Sequence, residues 1–500
     1  MRLGVVRNLA YSGAGALSSL LLFGLFVLAA RELGDATFGL FSYALAFVFL
    51  FDYLADFGVS DIVIRELARA PREAPRYLAN LLGYRTLLGL AVYGAILLAI
   101  HVVNDDPRAV RLVAILGLGF VLRPLLLTGR CFFRAFERWD LDAAVLTLDR
   151  LLLLLAGGTV VVVTRSPEAL AWTFVAVRLV LAGVNLVLLR PLVRLGRPRL
   201  EWPFLMSLQR QALAIGGFQV VIGAATYVDA IMLEFWRPYE EIGWYSAAYR
   251  IYLGAAMLPA TLLGVFAPRL ARLFTTESPR AHQALAASVA RFAWPAGVGL
   301  ALLAAVGAPS WVHLAYGAEY APAALPLAIL GAGLLAVSAS IFFNVVLISI
   351  DRQNRAFGIA LAGLALNVAV NLVVIPRWGF VGAAAATLLS ELLIVALFAA
   401  VLRRDYGRVP GLATLGKALL AAAAALPAVL LPGLEPALRA LLAVALYLVV
   451  LALLGVPDAE ERRRAGAWVG TLRRGRAGEP RPRNAEEREE SLTHVPVGDA

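Results

Sequence analysis

Long apolar runs alternate with short polar connections along this chain, and most runs hold the roughly 20 residues a helix needs to cross a ~30 Å hydrocarbon layer. The first covers Leu9 to Ala30. Others lie near 38–59, 78–100, 110–128, 142–164, 169–189, 211–234, 242–266, 286–306, 322–349, 356–375, 380–401, 414–431 and 437–454. The pattern predicts an all-α polytopic membrane protein of about 14 transmembrane helices. Leu9–Ala30 resembles a signal peptide in following Arg2 and Arg7 and ending in LAARELG, but it is too long and Gly-rich for one, and many spans follow. The second run carries Asp52 and Asp56 four apart, hence on one face that lipid would not tolerate, and leaves the membrane through Arg65 and Arg69.

Composition agrees: 61% of residues are hydrophobic and 16% charged, more apolar surface than one soluble core can hide. The net charge of +11 does not indicate nucleic acid, because the arginines sit between apolar spans instead of clustering with aromatics on one soluble face. They report topology. Connections carrying Arg65, Arg69, Arg72 and Arg76, then Arg130, Arg134 and Arg138, then Arg190 to Arg210, Arg269 to Arg291, Arg352 with Arg355, and Arg403 to Lys417 alternate with arginine-poor ones. Arginine excess marks the untranslocated side, so both termini are expected in the cytoplasm of a multi-pass protein of the inner (cytoplasmic) cell membrane. The single cysteine, Cys131, excludes an intrachain disulfide or multi-thiolate metal site, and no cofactor or metal is expected. No loop is long enough for a catalytic domain, so the chain does not read as an enzyme.

The sequence reads as duplicated. FGLFSYA at Phe38 to Ala44 reappears as IGWYSAA at Ile242 to Ala248, offset by 204, and AFERWD at Ala135 to Asp140 resembles SIDRQN at Ser349 to Asn354, offset by 214. Each offset contains six helices. Six is even, so the repeats would enter the membrane in the same direction and be related by an axis along its normal. The expected organisation is a six-helix lobe over 1–190, a second over 205–402, two further helices over 403–455, and a basic, mostly disordered cytoplasmic tail over 456–500 whose Glu460–Arg476 stretch could lie on anionic lipid.

These residues also resemble a family. Asn8, then LG-x3-FG at Leu33 to Gly39, then DFG and IRELAR in the first lobe, with RWGFVGAAAATLLSE at Arg377 to Glu391 in the second, look like polysaccharide-unit flippases, the Wzx-like members of the multidrug/oligosaccharidyl-lipid/polysaccharide (MOP) exporter superfamily. The resemblance covers about residues 5–455. It implies two six-helix lobes in a MATE-like arrangement, alternating access, and a substrate made of an oligosaccharide on polyprenyl pyrophosphate. Lys417 is the sole lysine, so basic cavity positions here can only be arginine.

A charge at mid-bilayer costs at least ~2.5 kcal/mol on insertion scales, so those within spans should face partners or a water-filled cavity. They are Asp52, Asp56, Arg85, Arg123, Asp149, Arg150, Arg178, Asp229, Arg250 and Glu391. Arg250 ranks first: Gly243, Ser246, Ala247 and Gly254 share its face and leave room, while Tyr245, Tyr249 and Tyr252 form an adjacent stripe. Its planar fork suits a pyrophosphate. Its expected partner without substrate is Asp229, Asp52 or Asp56. The candidate cavity is Arg250, Asp52, Asp56, Asp229, Arg7, Arg85 and Tyr249, with Glu391 as a coupling residue. Against this, Asp52 or Asp56 could pair with Arg85 only to make insertion tolerable, Arg123 and Arg178 could form salt bridges inside the first lobe, Asp149 and Arg150 could neutralise each other, and Arg7 could snorkel to headgroups. Asn185, Asn344, Asn367 and Asn371 read as interhelical hydrogen bonders.

The expected function is movement of a lipid-linked oligosaccharide from the cytoplasmic to the outer leaflet, by a monomer in contact with membrane lipids, with H+ or Na+ coupling. A cation-coupled multidrug exporter of MATE type and a lipid II flippase stay open as alternatives.

Overall fold

The computed structural model describes residues 2–456 apart from 195, 196, 198, 277, 408 and 430, without the side chains of residues 2–17 and 276. The expected tail and its surface helix, and the side chains of Arg7 and Asn8, lie outside the described residues. Among those described there is no strand. The chain forms α1 (Arg2–Asp56), α2 (Val59–Arg69), α3 (Ala74–Val103), α4 (Pro107–Ala135), α5 (Trp139–Leu152), α6 (Gly158–Thr164), α7 (Pro167–Leu189) and α8 (Trp202–Glu234). It continues through α9 (Tyr239–Gly264), α10 (Ala267–Thr276), α11 (Pro279–Val306), α12 (Ala308–Tyr316), α13 (Ala324–Ser349), α14 (Gln353–Tyr406), α15 (Leu412–Val429) and α16 (Pro436–Leu453). Several helices start at a capping residue followed by proline. Asp106, Ser166, Ser278 and Glu435 each accept a hydrogen bond from a backbone N–H of the first turn, and the following Pro gives up no helical donor.

Twelve helical segments among the described residues are long and apolar enough to cross a membrane. Two of them hold 52 and 54 residues, which at ~1.5 Å per residue is more than twice the ~30 Å hydrocarbon layer. Each breaks at a glycine with non-helical dihedral angles, Gly34 (φ 75°, ψ 169°) and Gly379 (φ 54°, ψ −137°). Divided there, each reads as the two crossings that the apolar runs predict. The periodicity did not reveal the short helices α2, α10 and α12, nor the π-helical turn at Leu153–Gly157 that follows α5.

The apolar core shows how the two halves meet. On the arginine-poor side one continuous cluster joins them, from Leu25, Phe38 and Phe41 through Ile231, Ile242 and Tyr245 to Tyr320, Leu327 and Ile375. On the arginine-rich side the core divides. One cluster draws on α2, α3, α4 and α7 with the start of α8, the other on α10, α11, α13 and α14. The helices α15 and α16 pack together on α11 through Ala418, Ala421, Ala425 and Tyr447, whose hydroxyl donates to Pro295 C=O at 2.9 Å.

Contacts across the closed side mirror one another as repeats about an axis should. A Cβ on Gly39 would lie 1.7 Å from the carbonyl oxygen of Tyr239, and one on Gly243 would lie 2.3 Å from that of Asp35. Each glycine thus meets the carbonyl four residues before its counterpart, the self-complementary form of a two-fold contact. The second matched pair behaves alike: Glu137 and Asp351 both hold left-handed backbone (φ 57° and 58°), and in each case the next N–H reaches back five residues, Arg138 to Phe133 and Arg352 to Leu347. Arg165 (φ 48°) and Gly379 (φ 54°) keep the same separation of 214 and end corresponding helices. Around the seam, Arg31 donates to the carbonyls of Ala315 (2.7 Å) and Leu314 (2.5 Å), Trp244 Nε1 to Asp35 Oδ2 (3.0 Å), Asp35 N to Glu319 Oε1 (3.2 Å) and Tyr320 to Ala30 C=O (3.0 Å).

The strand of chain between the halves is pinned on the arginine-rich side. Glu201 accepts from Arg76 at 2.6 Å and from Asn80 at 3.2 Å, while Arg199 N donates to Ala79 C=O. The Arg76 guanidinium holds the Glu201 carboxyl below the usual range, Asn80 adding to the effect.

Candidate functional site

Arg250 lies on the half of α9 that packs against α1, partly buried beneath the seam. Its guanidinium carbon is 3.5 Å from the centroid of the Phe26 ring and 5.5 Å from that of Phe38. Nη2 reaches Ser42 Oγ at 3.4 Å, and the buried Nε has no acceptor. No carboxylate among the described residues pairs with it. The expected partners are all engaged elsewhere, for a physical reason in each case: Asp52 and Asp56 sit next to arginines of their own half, and Asp229 is surrounded by neutral donors. What holds Arg250 is a cation–π contact, worth ~2 kcal/mol when desolvated, well short of the attraction of a charged fork pair.

Asp229, on α8, is 2% exposed. Oδ2 accepts from Tyr245 (2.5 Å) and Thr387 (2.6 Å), and Oδ1 from Asn371 (2.7 Å), which also donates to Asn367 (3.1 Å). The site thus joins α8, α9 and both halves of α14, with no cation among its described neighbours. Asn371 acts as the interhelical hydrogen bonder expected of it, and Asn367 supports it from one turn away on the same helix. Sequence reading missed Thr387, which lies 158 residues from Asp229 and looks like filler in GAAAATLL. Tyr249 stacks on Tyr245 (5.6 Å) and meets Tyr252 at a tilt (5.4 Å), continuing this site along α9, and Glu391 accepts from Ser340 at 3.1 Å.

Arg85, 1% exposed, donates to Asp56 Oδ1 (2.6 Å), Ser60 (2.8 Å) and Thr128 (3.0 Å), tying together α1, α2, α3 and α4. Removing either partner of such a buried pair strands a charge, a loss of ~3–5 kcal/mol. Asp52 Oδ2 holds Arg123 Nη2 at 2.7 Å, a salt bridge inside the first half, whereas Arg178 pairs with no described carboxylate and lies over Phe120 at 5.1 Å. Asp149 and Arg150 approach only to 3.8 Å. Arg250 and Asp229 therefore stand apart from Arg85 and Asp56 as charges without an opposite charge.

Comparison with solved structures places this arrangement. A structure described as lipid II flippase MurJ in an inward closed conformation superposes with a TM-score of 0.72 at 15% identity, covering 89% of this chain and 98% of that one. An inward-facing multidrug resistance MATE family transporter of the MOP superfamily gives 0.66 at 12% identity, covering 78% and 94%. At such identities the likeness is one of fold. No curated protein sequence matches. The model of the family described as polysaccharide biosynthesis protein matches residues 5–274, more than half of the chain. With the all-helical MOP-type fold, that match settles the family: this chain belongs to the polysaccharide biosynthesis protein family.

Proposed function

We propose that this chain is a flippase that carries an oligosaccharide linked to polyprenyl pyrophosphate from the cytoplasmic to the outer leaflet by alternating access, using lobes of about 1–190 and 205–402. The observation that carries the reading is Arg250: a partly buried guanidinium at the meeting of the halves, held by Phe26 and Ser42 and paired with no acid among the described residues. A pyrophosphate can take its fork through two hydrogen bonds and compensate its charge, while the cation–π contact it displaces is weaker. Arginine excess marks the cytoplasmic side, so the divided core faces the leaflet where the substrate would be loaded.

Asp229 supports coupling to H+ or Na+, since a buried carboxylate served only by neutral hydroxyl and amide donors retains an unbalanced charge that a small cation can neutralise. Such a site would equally serve a cation-coupled exporter of MATE type. Arg250 favours the anionic substrate over a cationic drug, and a lipid II flippase remains a variant of the same chemistry.

The test is transport of labelled polyprenyl-pyrophosphate oligosaccharide by the purified chain in vesicles. Arg250→Ala should abolish export at normal abundance, and Arg250→Lys should rescue poorly because an ammonium lacks the fork. Normal export by Arg250→Ala would refute the reading.

A further inference from the structure

The first half of the chain gathers a second group of arginines that the reading above leaves unused. Arg123 on α4 and Arg178 on α7 share one aromatic ring, their guanidinium carbons 5.7 and 5.1 Å from the centroid of Phe120. The Arg178 stem passes over Gly119, where a Cβ would lie 3.3 Å from its Cδ. Asp52 neutralises Arg123 through one oxygen, but its Oδ1 and Arg123 Nε are buried without partners. Asp149 and Arg150 are too far apart to hydrogen-bond, and Arg150 Nε is likewise unpartnered. Arg178 makes no ion pair or hydrogen bond with a described residue. Arg150 and Asp149 lie within electrostatic reach of Arg123 and Arg178, so three guanidiniums face two carboxylates among the helices of the first half, with donors unfilled.

The group is open, not sealed: the Arg123, Arg150 and Asp149 side chains remain 28%, 27% and 22% exposed. It also borders Arg250. Phe120 meets Phe49 edge-on at 5.5 Å, and Phe49 stacks on Tyr227 at 5.3 Å. Tyr227 lies within electrostatic reach of both Arg123 and Arg250. The two basic sites therefore flank one aromatic step between α4 and α8.

We propose that Arg123, Arg150 and Arg178 form a second anion subsite, which receives a carboxylate on the glycan of the transported lipid, such as that of a uronic acid, while Arg250 takes the pyrophosphate. The proposal rests on the flippase reading and narrows its substrate class. The charge balance selects the ligand: three arginines less two aspartates leave one positive charge, matching one carboxylate, whereas a phosphate monoester brings between one and a half and two negative charges at neutral pH. Unfilled guanidiniums also disfavour a neutral glycan, since a neutral sugar leaves them uncompensated.

The test measures binding to the full-length protein in nanodiscs of two probes, polyprenyl pyrophosphate carrying a neutral disaccharide and the same lipid ending in a glucuronic acid. The wild type should favour the acidic probe by about tenfold, the ratio that ~1.4 kcal/mol sets. Arg178→Gln, which strands no paired acid, should remove that preference and leave the neutral probe within twofold, while Arg178→Lys should retain part of it. Equal wild-type affinity for the two probes, or an Arg178→Gln variant that weakens both alike or neither, overturns the proposal. Arg250→Gln is the separate arm: it should weaken both probes, and if it weakens neither, the flippase reading fails whatever Arg178 does.

Discussion

The glycine seam makes a prediction in which only one conformational state is perturbed. Gly39 on α1 and Gly243 on α9 allow two helices to approach until each would place a Cβ on the other's backbone, 1.7 and 2.3 Å from a carbonyl oxygen. Ordinary contact begins near 3.4 Å, so Gly39→Ala needs the helices to part by more than an ångström there. The obstacle is backbone, not a flexible side-chain end, and cannot swing aside. Overpacking of this kind costs ~1–3 kcal/mol. The intrinsic helical gain of Ala over Gly, up to ~1 kcal/mol, applies whether the seam is closed or open and cancels from the ratio. The closed population should therefore fall relative to the open one by roughly 5- to 150-fold. Gly94→Ala is the control, since a Cβ there meets nothing within 4 Å. Spin labels on cysteines placed at Asp105 and Trp378, both exposed on the arginine-poor side, would report the separation of the halves in a Cys131→Ala background. Gly39→Ala should shift the distance distribution to longer values while thermal stability in detergent changes little. An unchanged distribution in a well-folded Gly39→Ala protein would show that the seam does not set the closed state.

Three further outcomes can be checked. Asp229→Asn keeps the shape of the site and, with its amide oxygen toward Tyr245 and Thr387, two of its three hydrogen bonds, but removes its charge, so transport should no longer respond to an imposed H+ or Na+ gradient; a retained response would remove Asp229 from coupling. His282→Ala should cost about 2–4 kcal/mol in chemical unfolding, because it empties the space of a buried ring packed edge-on against Phe274 and Tyr406 and breaks its hydrogen bonds with the Tyr406 hydroxyl (2.7 Å) and Ser349 (2.8 Å). Ser349 Oγ already donates to Val346 C=O, so it accepts from the ring Nε2–H, and the neutral ring accepts a hydrogen bond from the Tyr406 O–H at Nδ1. Glu201 titrates below its usual range beside Arg76, so its stabilising contribution is complete above pH ~4.3 and is lost as pH falls through the lower folded value. Melting curves between pH 5 and 3 should show a step in the wild type that Glu201→Gln lacks, and its persistence in the variant would assign it elsewhere.

Much of the fold was legible because lipid leaves so few solutions: apolar runs of fixed length, arginines on one side, and glycine or proline at the bends. The repeats were legible from two short matches, yet their strongest structural mark, the left-handed pairs Glu137 with Asp351 and Arg165 with Gly379, rests on backbone that residue identity conceals. Arg165 and Gly379 share no chemistry except tolerance of a turn. The site was less readable. A helix period shows which face carries Arg250 but not that Phe26, more than 200 residues away, lies under it. Pairing by nearest opposite charge succeeded for Asp56 with Arg85 and did not for Arg250, since Coulomb attraction cannot be ranked without knowing which helices touch.

The neutral partners of Asp229 and Arg250 bear on how the proposed cycle could run. Had Asp229 and Arg250, on neighbouring helices α8 and α9, been joined as a buried pair, each would carry an internal competitor for its ligand. A pyrophosphate would have to displace a carboxylate, and a coupling cation a guanidinium, and breaking such a pair costs ~3–5 kcal/mol before any gain. Instead Asp229 rests on Tyr245, Thr387 and Asn371, and Arg250 on Phe26. Neutral donors hold a carboxylate in place yet leave its charge unbalanced, and a phenyl ring does the same for a guanidinium. In the proposed cycle both sites would thus keep most of their affinity for a ligand of opposite charge. Because Phe26 and Ser42 belong to α1 and Arg250 to α9, an opening of the seam would remove the ring from the arginine, so a pyrophosphate bound to Arg250 would meet a different neighbour in each state. Differential affinity of that kind is what a ligand needs to shift a two-state equilibrium, and a moving aromatic ring supplies it without a charge having to be stranded at either end of the cycle.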